Sequence, residues 1–222
     1  MTHSNHRRGS RESLEKDYVI FTYPAKKIED NKKILEIYAN NNPVNCTCTV
    51  NENGQKFRKR WIKGWDKSKD SGIHKSAGSL EELKHSELAG YVSGVFDNKE
   101  SAKKVMKELG EGDFGCSTVV SAIFDNTREL TQDAPNAYMH TVNMSAETFG
   151  KTELLPEPKI LEITTMCGHH MPSQYLVKHL IEQVKRKRMT SQEAAVEIAK
   201  QCTCNFVNVV RTEKLINEYL ED

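Results

Sequence analysis

The sequence predicts a mixed α+β protein, with a mixed or antiparallel sheet, helices on one face of that sheet, and a C-terminal helical segment. Strand-like and helix-like patterns alternate over residues 17–165, in the order of split β-α-β units. From residue 166 onward, mainly helical patterns remain. We therefore expect a disordered N-terminal tail over residues 1–16, an α+β sandwich over residues 17–165, and a helical segment over residues 166–222 that carries the candidate site.

The first predicted unit is a strand followed by a helix. Residues 17–23 are rich in β-branched and aromatic side chains and end at Pro24, which is typical of a strand. Residues 28–39 place charges between apolar positions at helical spacing, which predicts an amphipathic helix with one buried face. The apolar positions of this helix are Ile28, Ile34, Leu35 and Tyr38.

Residues 44–78 lose regular periodicity, and residues 57–65 are rich in basic and aromatic side chains. The Asn-Glu-Asn-Gly run at residues 51–54 is a turn signal, so we expect a hairpin that leads into a mobile basic loop. Basic side chains beside aromatic rings are able to bind phosphate and to stack on a base. The favoured interpretation is that side chains alternate along a strand, so that the aromatic rings point inward and the charges point into water.

A second predicted unit extends the sheet. Ser79 and Glu82 have the spacing of a capping box, which predicts a short helix. The further predicted elements are a helix over residues 99–109 and strands over residues 91–96, 116–124, 138–144 and 159–165. Together with the first strand and helix, they fit ferredoxin-like elements that share one sheet.

The C-terminal segment is predicted to be helical. Pro172 stands where the first helical position favours proline, and the apolar residues from 176 to 184 fall on one face. Thr190 and Glu193 form a second capping box, so we expect a helix from there through Lys200. A short final helix is expected over residues 212–220.

Composition excludes several classes of protein. Lys and Arg number 32 against 31 for Asp and Glu, which argues against a dedicated nucleic-acid-binding protein. No apolar run of about 18 residues occurs, so no membrane span is expected. The polar N-terminus lacks the apolar stretch of a secretory signal, so we expect a cytoplasmic protein whose six cysteines are reduced. The sequence leaves a homo-oligomer open.

The candidate site is a group of three cysteines. Cys202 and Cys204 belong to a Cys-Thr-Cys tripeptide just beyond a predicted helix end, and two such residues point the same way on an extended segment. Cys167 stands between a predicted strand end and a predicted helix start. At a helix start, the helix dipole and free backbone N–H groups lower the pKa of a thiol.

Three thiolates and a fourth ligand suit an iron–sulfur cluster or zinc, and we favour the iron–sulfur cluster as the cofactor. Two other interpretations remain open: Cys167 acts alone as a reactive thiol, or all three cysteines are inert core residues. Cys46 and Cys48 form a second Cys-Thr-Cys tripeptide that we expect near the site. Cys116 begins an apolar strand and is expected in the core.

Polar residues complete the predicted site. The candidate catalytic residues are His169, His170 and Lys151, and the candidate substrate-binding residues are His140, Asn143 and Lys151. They favour an enzyme that acts on a small anionic molecule, of the lyase, dehydratase or desulfidase type, with an open iron as Lewis acid. The alternatives are a non-catalytic metal or sulfur carrier, a regulatory binding module, and a metal-free thiol enzyme that uses Cys167.

Overall fold

A computed structural model describes residues 7–69, 76–145 and 148–221 of the chain. In these ranges a five-stranded antiparallel sheet lies between two layers of helices, which confirms the predicted α+β class. Helices cover both faces of the sheet rather than one, because the C-terminal segment packs on the second face. None of the described helices is both long enough and apolar enough to cross a membrane.

The sheet has the strand order β3-β2-β4-β1-β5. Its strands are β1 (Tyr18–Thr22), β2 (Asn45–Glu52), β3 (Gln55–Ile62), β4 (Leu88–Phe96) and β5 (Thr118–Ser121). The helices are α1 (Arg11–Leu14), α2 (Ile28–Asn40), α3 (Leu80–Lys84), α4 (Lys99–Gly112), α5 (Phe124–Gln132), α6 (Pro158–Thr164), α7 (Gln174–Lys185), α8 (Ser191–Gln201) and α9 (Val209–Glu221).

The connections are split β-α-β units, as the sequence predicts. All the strand pairs are antiparallel, so β1 and β2, joined by α2, run in the same direction with β4 between them. In the same way, α4 joins β4 to β5, and β1 lies between these two strands. The strand β3 is an addition at one edge, where it pairs with β2.

Strand alternation divides the interior into two cores. Tyr18 and Ile20 of β1 pack under the layer formed by α2–α5, whereas Val19 and Phe21 pack under the layer formed by α6–α9. We call these the N-terminal and the C-terminal helical layer. The predicted apolar face of α2 lies in the first core, except that Ile28 is 74% exposed.

The hairpin predicted within residues 44–78 is formed by β2 and β3. Asn53 and Gly54 turn the chain with φ of 53° and 79°, the positive values that a tight two-residue hairpin turn requires. The predicted hairpin is present, with residues 45–62 in its paired strands, and the mobile loop was predicted to follow it. Residues 70–75, in the remainder of that predicted loop, lie outside the described ranges.

Two predicted strands are wrong. Residues 159–165 are mostly helix α6, because Pro158 stands at its first turn and Ile160 and Ile163 bury one helical face. Residues 138–144 form no strand with any part of the chain that the structure describes, and Tyr138 is 78% exposed. Alternation along that segment favours a strand only where a neighbouring strand supplies hydrogen bonds.

The N-terminal segment differs from the predicted disordered tail over its described residues, 7–16. It contains the short helix α1, capped by Ser10, and it packs on the C-terminal helical layer. Its main anchor is Arg211 of α9, which donates to the Arg8 carbonyl oxygen at 2.7 Å and to the Ser13 hydroxyl at 3.0 Å. Residues 1–6 lie outside the described ranges.

Candidate functional site

Two loops of the C-terminal helical layer bring three cysteines into one region. Cys167 follows the end of α6, and Cys202 and Cys204 lie in the connection between α8 and α9. The Cys167 thiol donates a hydrogen bond to the Cys202 sulfur. The residues Cys167, Cys202 and Cys204 are 0%, 1% and 5% exposed, and we call them the cysteine centre.

Cys167 lies past the C-terminal end of one helix rather than at the start of another. α6 precedes it, and α7 begins only at Gln174, after Pro172 and the N-cap residue Ser173. The expected lowering of its pKa by a helix start is therefore wrong. The hydrogen bond to Cys202 and burial raise the pKa of Cys167 above its usual value, so Cys167 keeps its proton at neutral pH.

The sulfur of Cys202 is surrounded by hydrogen-bond donors. The backbone N–H groups of Phe206, Cys204 and Val207 stabilise its thiolate, and the nitrogen of Phe206 lies 3.4 Å from the sulfur. The Cys167 hydrogen bond and these N–H groups lower the pKa of Cys202 to about 6, although burial opposes them. A loop whose successive N–H groups converge in this way forms an anion-binding nest, a feature found at phosphate and iron–sulfur sites.

Cys204 lies between a cation and an imidazole. The Nη1 atom of Arg58 donates to the Cys204 sulfur at 3.3 Å, and His169 Nδ1 lies 3.8 Å from the same sulfur. Burial raises the pKa of Cys204, and Arg58 opposes this rise. Arg58 also lies over the Tyr91 ring, with its central carbon 5.3 Å from the ring centroid. Because His169 is exposed, this end of the centre lies just below the surface.

The cysteine loop is fastened to the sheet by asparagines. Asn205 has a φ of 60°, a left-handed conformation that asparagine tolerates better than most residues. Its Nδ2 donates to the Thr47 hydroxyl at 2.9 Å and to the Trp61 carbonyl oxygen at 3.1 Å. In return, Asn45 Nδ2 donates to the Val207 carbonyl oxygen at 2.6 Å. The nest around Cys202 is therefore held in a fixed shape by β2 and β3.

Arg60 of β3 binds the same loop where the loop begins, at the C-terminal end of α8. Its Nη1 donates to the carbonyl oxygens of Lys200 and Cys202 at 3.2 and 3.0 Å. These are acceptors that a helix end leaves without an intrahelical partner. Arg60 is 3% exposed and lies over the Trp65 ring. The predicted outward direction of the β3 charges is thus wrong for Arg60, which faces the C-terminal helical layer.

Arg7 reaches the centre from the N-terminal segment. Its Nη2 donates to the carbonyl oxygens of Met166, at 3.2 Å, and Phe206. Its Nη1 lies 2.5 Å from a carboxylate oxygen of Asp17, and both side chains are buried. Burial lowers the pKa of Arg7, and the charges of Asp17 and Cys202 oppose this lowering. The three arginines Arg7, Arg58 and Arg60 have no sequence pattern that links them to the cysteines, because each is brought to the centre by the tertiary fold.

The other predicted site residues lie elsewhere or at the surface. His170 is exposed, and its backbone N–H closes the turn onto the Cys167 carbonyl oxygen at 2.8 Å. His140, Asn143 and Lys151 are exposed residues of the segment between α5 and α6. In the described ranges no hydrogen bond or ion pair joins His140 or Lys151 to the cysteine centre.

The remaining cysteines belong to the other core. Cys46 and Cys48 are buried on β2 under the N-terminal helical layer, and Cys116 packs against the same core. The Cys46 backbone lies near the site, since its carbonyl oxygen accepts from Asn205 at 3.3 Å, but the side chains of Cys46 and Cys48 point to the opposite face of the sheet. Burial raises the pKa of Cys48 to about 12, which keeps it protonated.

In the described ranges no three His, Cys, Asp or Glu side chains are arranged to hold a single metal ion. The interactions among these side chains are instead pairwise, between Cys167 and Cys202 and between Cys204 and His169.

Comparison of the chain with protein-family models, with curated proteins and with solved structures finds no match.

Proposed function

We propose that Cys167, Cys202 and Cys204 bind an iron–sulfur cluster, and that the protein uses it as an enzyme on a small anionic molecule. The observation that supports the proposal is that the cysteine sulfurs accept hydrogen bonds: the Phe206 N–H donates to Cys202 at 3.4 Å and Arg58 Nη1 donates to Cys204 at 3.3 Å. The N–H groups of Phe206, Cys204 and Val207 help to lower the pKa of Cys202, and those of Met171 and His169 oppose the rise in the pKa of Cys167. The proposal implies a reducing location, and we place the protein in the cytoplasm.

Hydrogen bonds to sulfur distinguish ligand cysteines from inert ones. A buried cysteine that only fills space behaves as a small apolar side chain and needs no donors around its sulfur. Thiolates that bind a cluster carry negative charge, and N–H donors and nearby cations stabilise that charge and tune the reduction potential. The N–H nest at Cys202 and the guanidinium of Arg58 at Cys204 supply both kinds of partner.

We place a cluster ahead of a single zinc ion because N–H groups around cysteine sulfurs are a feature of iron–sulfur sites, and zinc stays the alternative. Zinc requires its ligand atoms to converge tetrahedrally on one point, at Zn–S distances of about 2.3 Å. In a cluster the cysteines bind separate iron atoms. Within the described ranges no three such ligands surround one point and Cys167 contacts Cys202, so either metal would require the loops after α6 and α8 to separate these sulfurs or rearrange on binding.

With three thiolate ligands, one iron would remain for substrate, water or His169. Such an iron supplies Lewis-acid chemistry, which suits dehydration or removal of sulfur from an anionic molecule. Arg58, beside Cys204, is the cation best placed to hold an anionic group, and the exposed His169 is placed to give or take a proton. Catalytic roles for His170 and Lys151, and substrate binding by His140, Asn143 and Lys151, stay predictions, as does a homo-oligomer.

The proposal is tested by purifying the full chain without oxygen. We expect iron and acid-labile sulfide in similar molar amounts, with the broad visible absorption of a cluster that bleaches on reduction. Near-stoichiometric zinc without sulfide would show that the site binds zinc instead of a cluster. Folded protein that binds neither metal after anaerobic reconstitution would overturn the metal proposal.

A metal-free thiol enzyme is the second candidate, and one observation favours it: the hydrogen bond between Cys167 and Cys202. In such an enzyme Cys202, whose pKa is about 6, would be the thiolate nucleophile. Cys167, the residue that the sequence suggested for this role, would be its hydrogen-bond donor. The sulfurs are buried, so a substrate would enter past the exposed His169.

Cys202 should ionise at an unusually low pH in cluster-free protein. The ultraviolet absorbance of thiolate, which does not require access to reagents, should rise in one step with a midpoint near pH 6. Cys202→Ser should abolish this step. Cys116→Ser, which changes a cysteine of the other core, should retain it. A wild-type titration with no step below the ordinary thiol range would contradict the assigned thiolate.

The same ionisation should make the stability of cluster-free protein depend on pH. The folded Cys202 pKa is depressed, so between about pH 6 and its ordinary value the unfolded thiol holds a proton that the folded one has released. The free energy of unfolding should therefore rise with pH across that window and lose this contribution as the pH falls through about 6. Cys202→Ser should remove this rise in denaturant titrations.

A further inference from the structure

A cavity of about 840 Å³ lies beside the outer edge of β5. Its walls include β5 itself, the C-terminal half of α4, and residues 136–145. This volume is within the range of cavities that hold ligands in proteins. The three residues of the cysteine centre are not part of its lining. The cavity is therefore a candidate binding site of its own.

β5 directs backbone hydrogen-bonding groups into this cavity. It is the last strand in the order of the sheet, and among the described strands it pairs with β1 alone. The Tyr23 N–H donates to the opposite Ser117 carbonyl oxygen at 2.9 Å, so every second residue from Ser117 onward bonds to β1. Thr118 and Val120 therefore direct their N–H and C=O groups outward, where no described residue bonds to them. Such an open strand edge is a template for a further strand.

Residues 138–144 line the same cavity and have the pattern of a strand. Tyr138 and His140 are exposed, whereas Met139 between them is partly buried, as in strand alternation. This segment is not a strand partner of β5. A strand-like segment and an open strand edge in one cavity are the two flanks that an inserted extended chain requires.

The cavity is apolar where the side chains of an inserted strand would point. Thr118 and Val120 lie on the face of β5 that Val120 packs against the N-terminal helical layer. Residues opposite each other on neighbouring strands point to the same face, so a ligand residue beside Val120 would face that layer as well. There the cavity is lined by the apolar side chains of Met106, Leu109 and Phe114.

The charges of the cavity are complementary to an uncharged ligand. Of the charged residues that line it in the described ranges, Arg7 and Asp17 are buried and form an ion pair with each other. Asp113 and the titratable His140 are exposed, so solvent screens them. A charged ligand group would meet no buried charge that is not already paired, and burying a charge without a partner is costly.

We propose that this cavity binds an extended, uncharged segment of another protein, with apolar side chains at alternate positions, as an antiparallel strand added to β5. Backbone hydrogen bonds to Thr118 and Val120 supply affinity, and the apolar wall of α4 supplies specificity. β5 has four residues, so a peptide of about six residues overlaps its whole edge. The inference does not depend on the cysteine centre or on a metal.

The probe is a synthetic hexapeptide with blocked ends, in which serine and valine alternate. Titrated into the full chain and followed by amide NMR, it should shift the signals of Thr118 and Val120 and slow their hydrogen exchange. Val120→Pro removes one outward N–H and keeps the bonds to β1, because edge strands tolerate proline where the N–H faces away from the sheet. It should bind the peptide about tenfold more weakly, the effect of one backbone hydrogen bond. Val120→Thr keeps the N–H and the β-branched shape, and as the matched control it should bind like the wild type.

Two N-methylated forms of the peptide test the same bonds on the unaltered protein. The valines would lie opposite Thr118 and Val120, since all three point to the apolar wall. In an antiparallel pair the valine N–H groups then donate to β5, and the serine N–H groups point away from it. Methylation of the valine nitrogens should abolish binding, and methylation of the serine nitrogens should weaken it less.

Several results would overturn the inference: no binding of the peptide, signal shifts remote from β5, or equal binding of the two methylated forms. Equal affinities of Val120→Pro and Val120→Thr would do the same. Slow exchange at Thr118 and Val120 in a concentration-dependent dimer, without peptide, would assign the edge to a second copy of the chain instead. The methylated peptides remain decisive if Val120→Pro does not fold.

Discussion

Replacing Cys202 with serine should remove nearly all cluster iron from anaerobically prepared protein. The N–H nest is formed around this sulfur, and a serine oxygen is a harder and more basic ligand that iron–sulfur clusters accept poorly. Cys167→Ser and Cys204→Ser should each lose most of the iron, since each residue would bind a separate iron atom. Iron and sulfide analysis after matched reconstitution measures the effect.

Cys116→Ser is the control for this series, because Cys116 is only partly buried and packs on the opposite core. It should keep the iron content and visible spectrum of the wild type. Cys48→Ser is a second control on the other face of the sheet, although its burial makes it a test of folding as well. Equal iron loss in the Cys116 and Cys202 variants would place the metal outside the cysteine centre or make the loss nonspecific.

Replacing Asp17 with asparagine should destabilise the protein by about 3–5 kcal/mol, the cost of leaving buried charges without their partner. The Asp17 side chain is 0% exposed and pairs with both Arg7 and Arg211, which are nearly as buried. Asparagine keeps the shape of the side chain but removes the negative charge. The two guanidinium groups would then repel each other within the core. Urea unfolding at neutral pH measures the loss.

Asp125→Asn provides the same chemical change at a surface ion pair. Asp125 pairs with Arg11 at 3.1 Å, and their side chains are 58% and 68% exposed. Solvent screens such a pair, so its loss should cost less than about 1 kcal/mol. If Asp17→Asn were no more destabilising than Asp125→Asn, the N-terminal segment would not be held by a buried charge network, and the placement of Arg7 at the centre would lose its support.

The features that the sequence predicts correctly are those encoded by nearby residues. The capping box of Thr190 and Glu193 begins α8 as expected, and Cys202 is its C-cap residue, directly beyond the expected helix end. The Asn53-Gly54 turn likewise forms the β2–β3 hairpin. Each depends on hydrogen bonds over a few residues, so a local pattern is sufficient to identify it.

The errors arise where packing partners decide the structure. Residues 159–165 contain isoleucines and threonines that favour strands, but Ile160 and Ile163 are three apart and bury one face of α6. Because residues 159–165 were predicted as a strand, Cys167 was expected between a strand end and a helix start, whereas it follows the C-terminal end of α6. Cys46 and Cys48 repeat the Cys-Thr-Cys tripeptide, yet strand alternation turns both to the face opposite the cysteine centre.

The predicted group of three cysteines is found in one region, but its polar partners come from distant parts of the chain. Arg7 is separated from Phe206 by 199 residues and Arg58 from Cys204 by 146. No spacing rule connects residues so far apart. The buried state of Arg7 and its position in a segment expected to be disordered show that the sheet and helices, rather than local patterns, select the partners of the centre.

The most direct test of the cysteine centre is anomalous X-ray diffraction at the iron absorption edge, on crystals of the full chain grown without oxygen. We predict one compact iron peak in bonding contact with the sulfurs of Cys167, Cys202 and Cys204, beside His169. Crystals of iron-reconstituted protein with no iron peak at these sulfurs, and with Cys167 still hydrogen-bonded to Cys202, would contradict the proposed cluster.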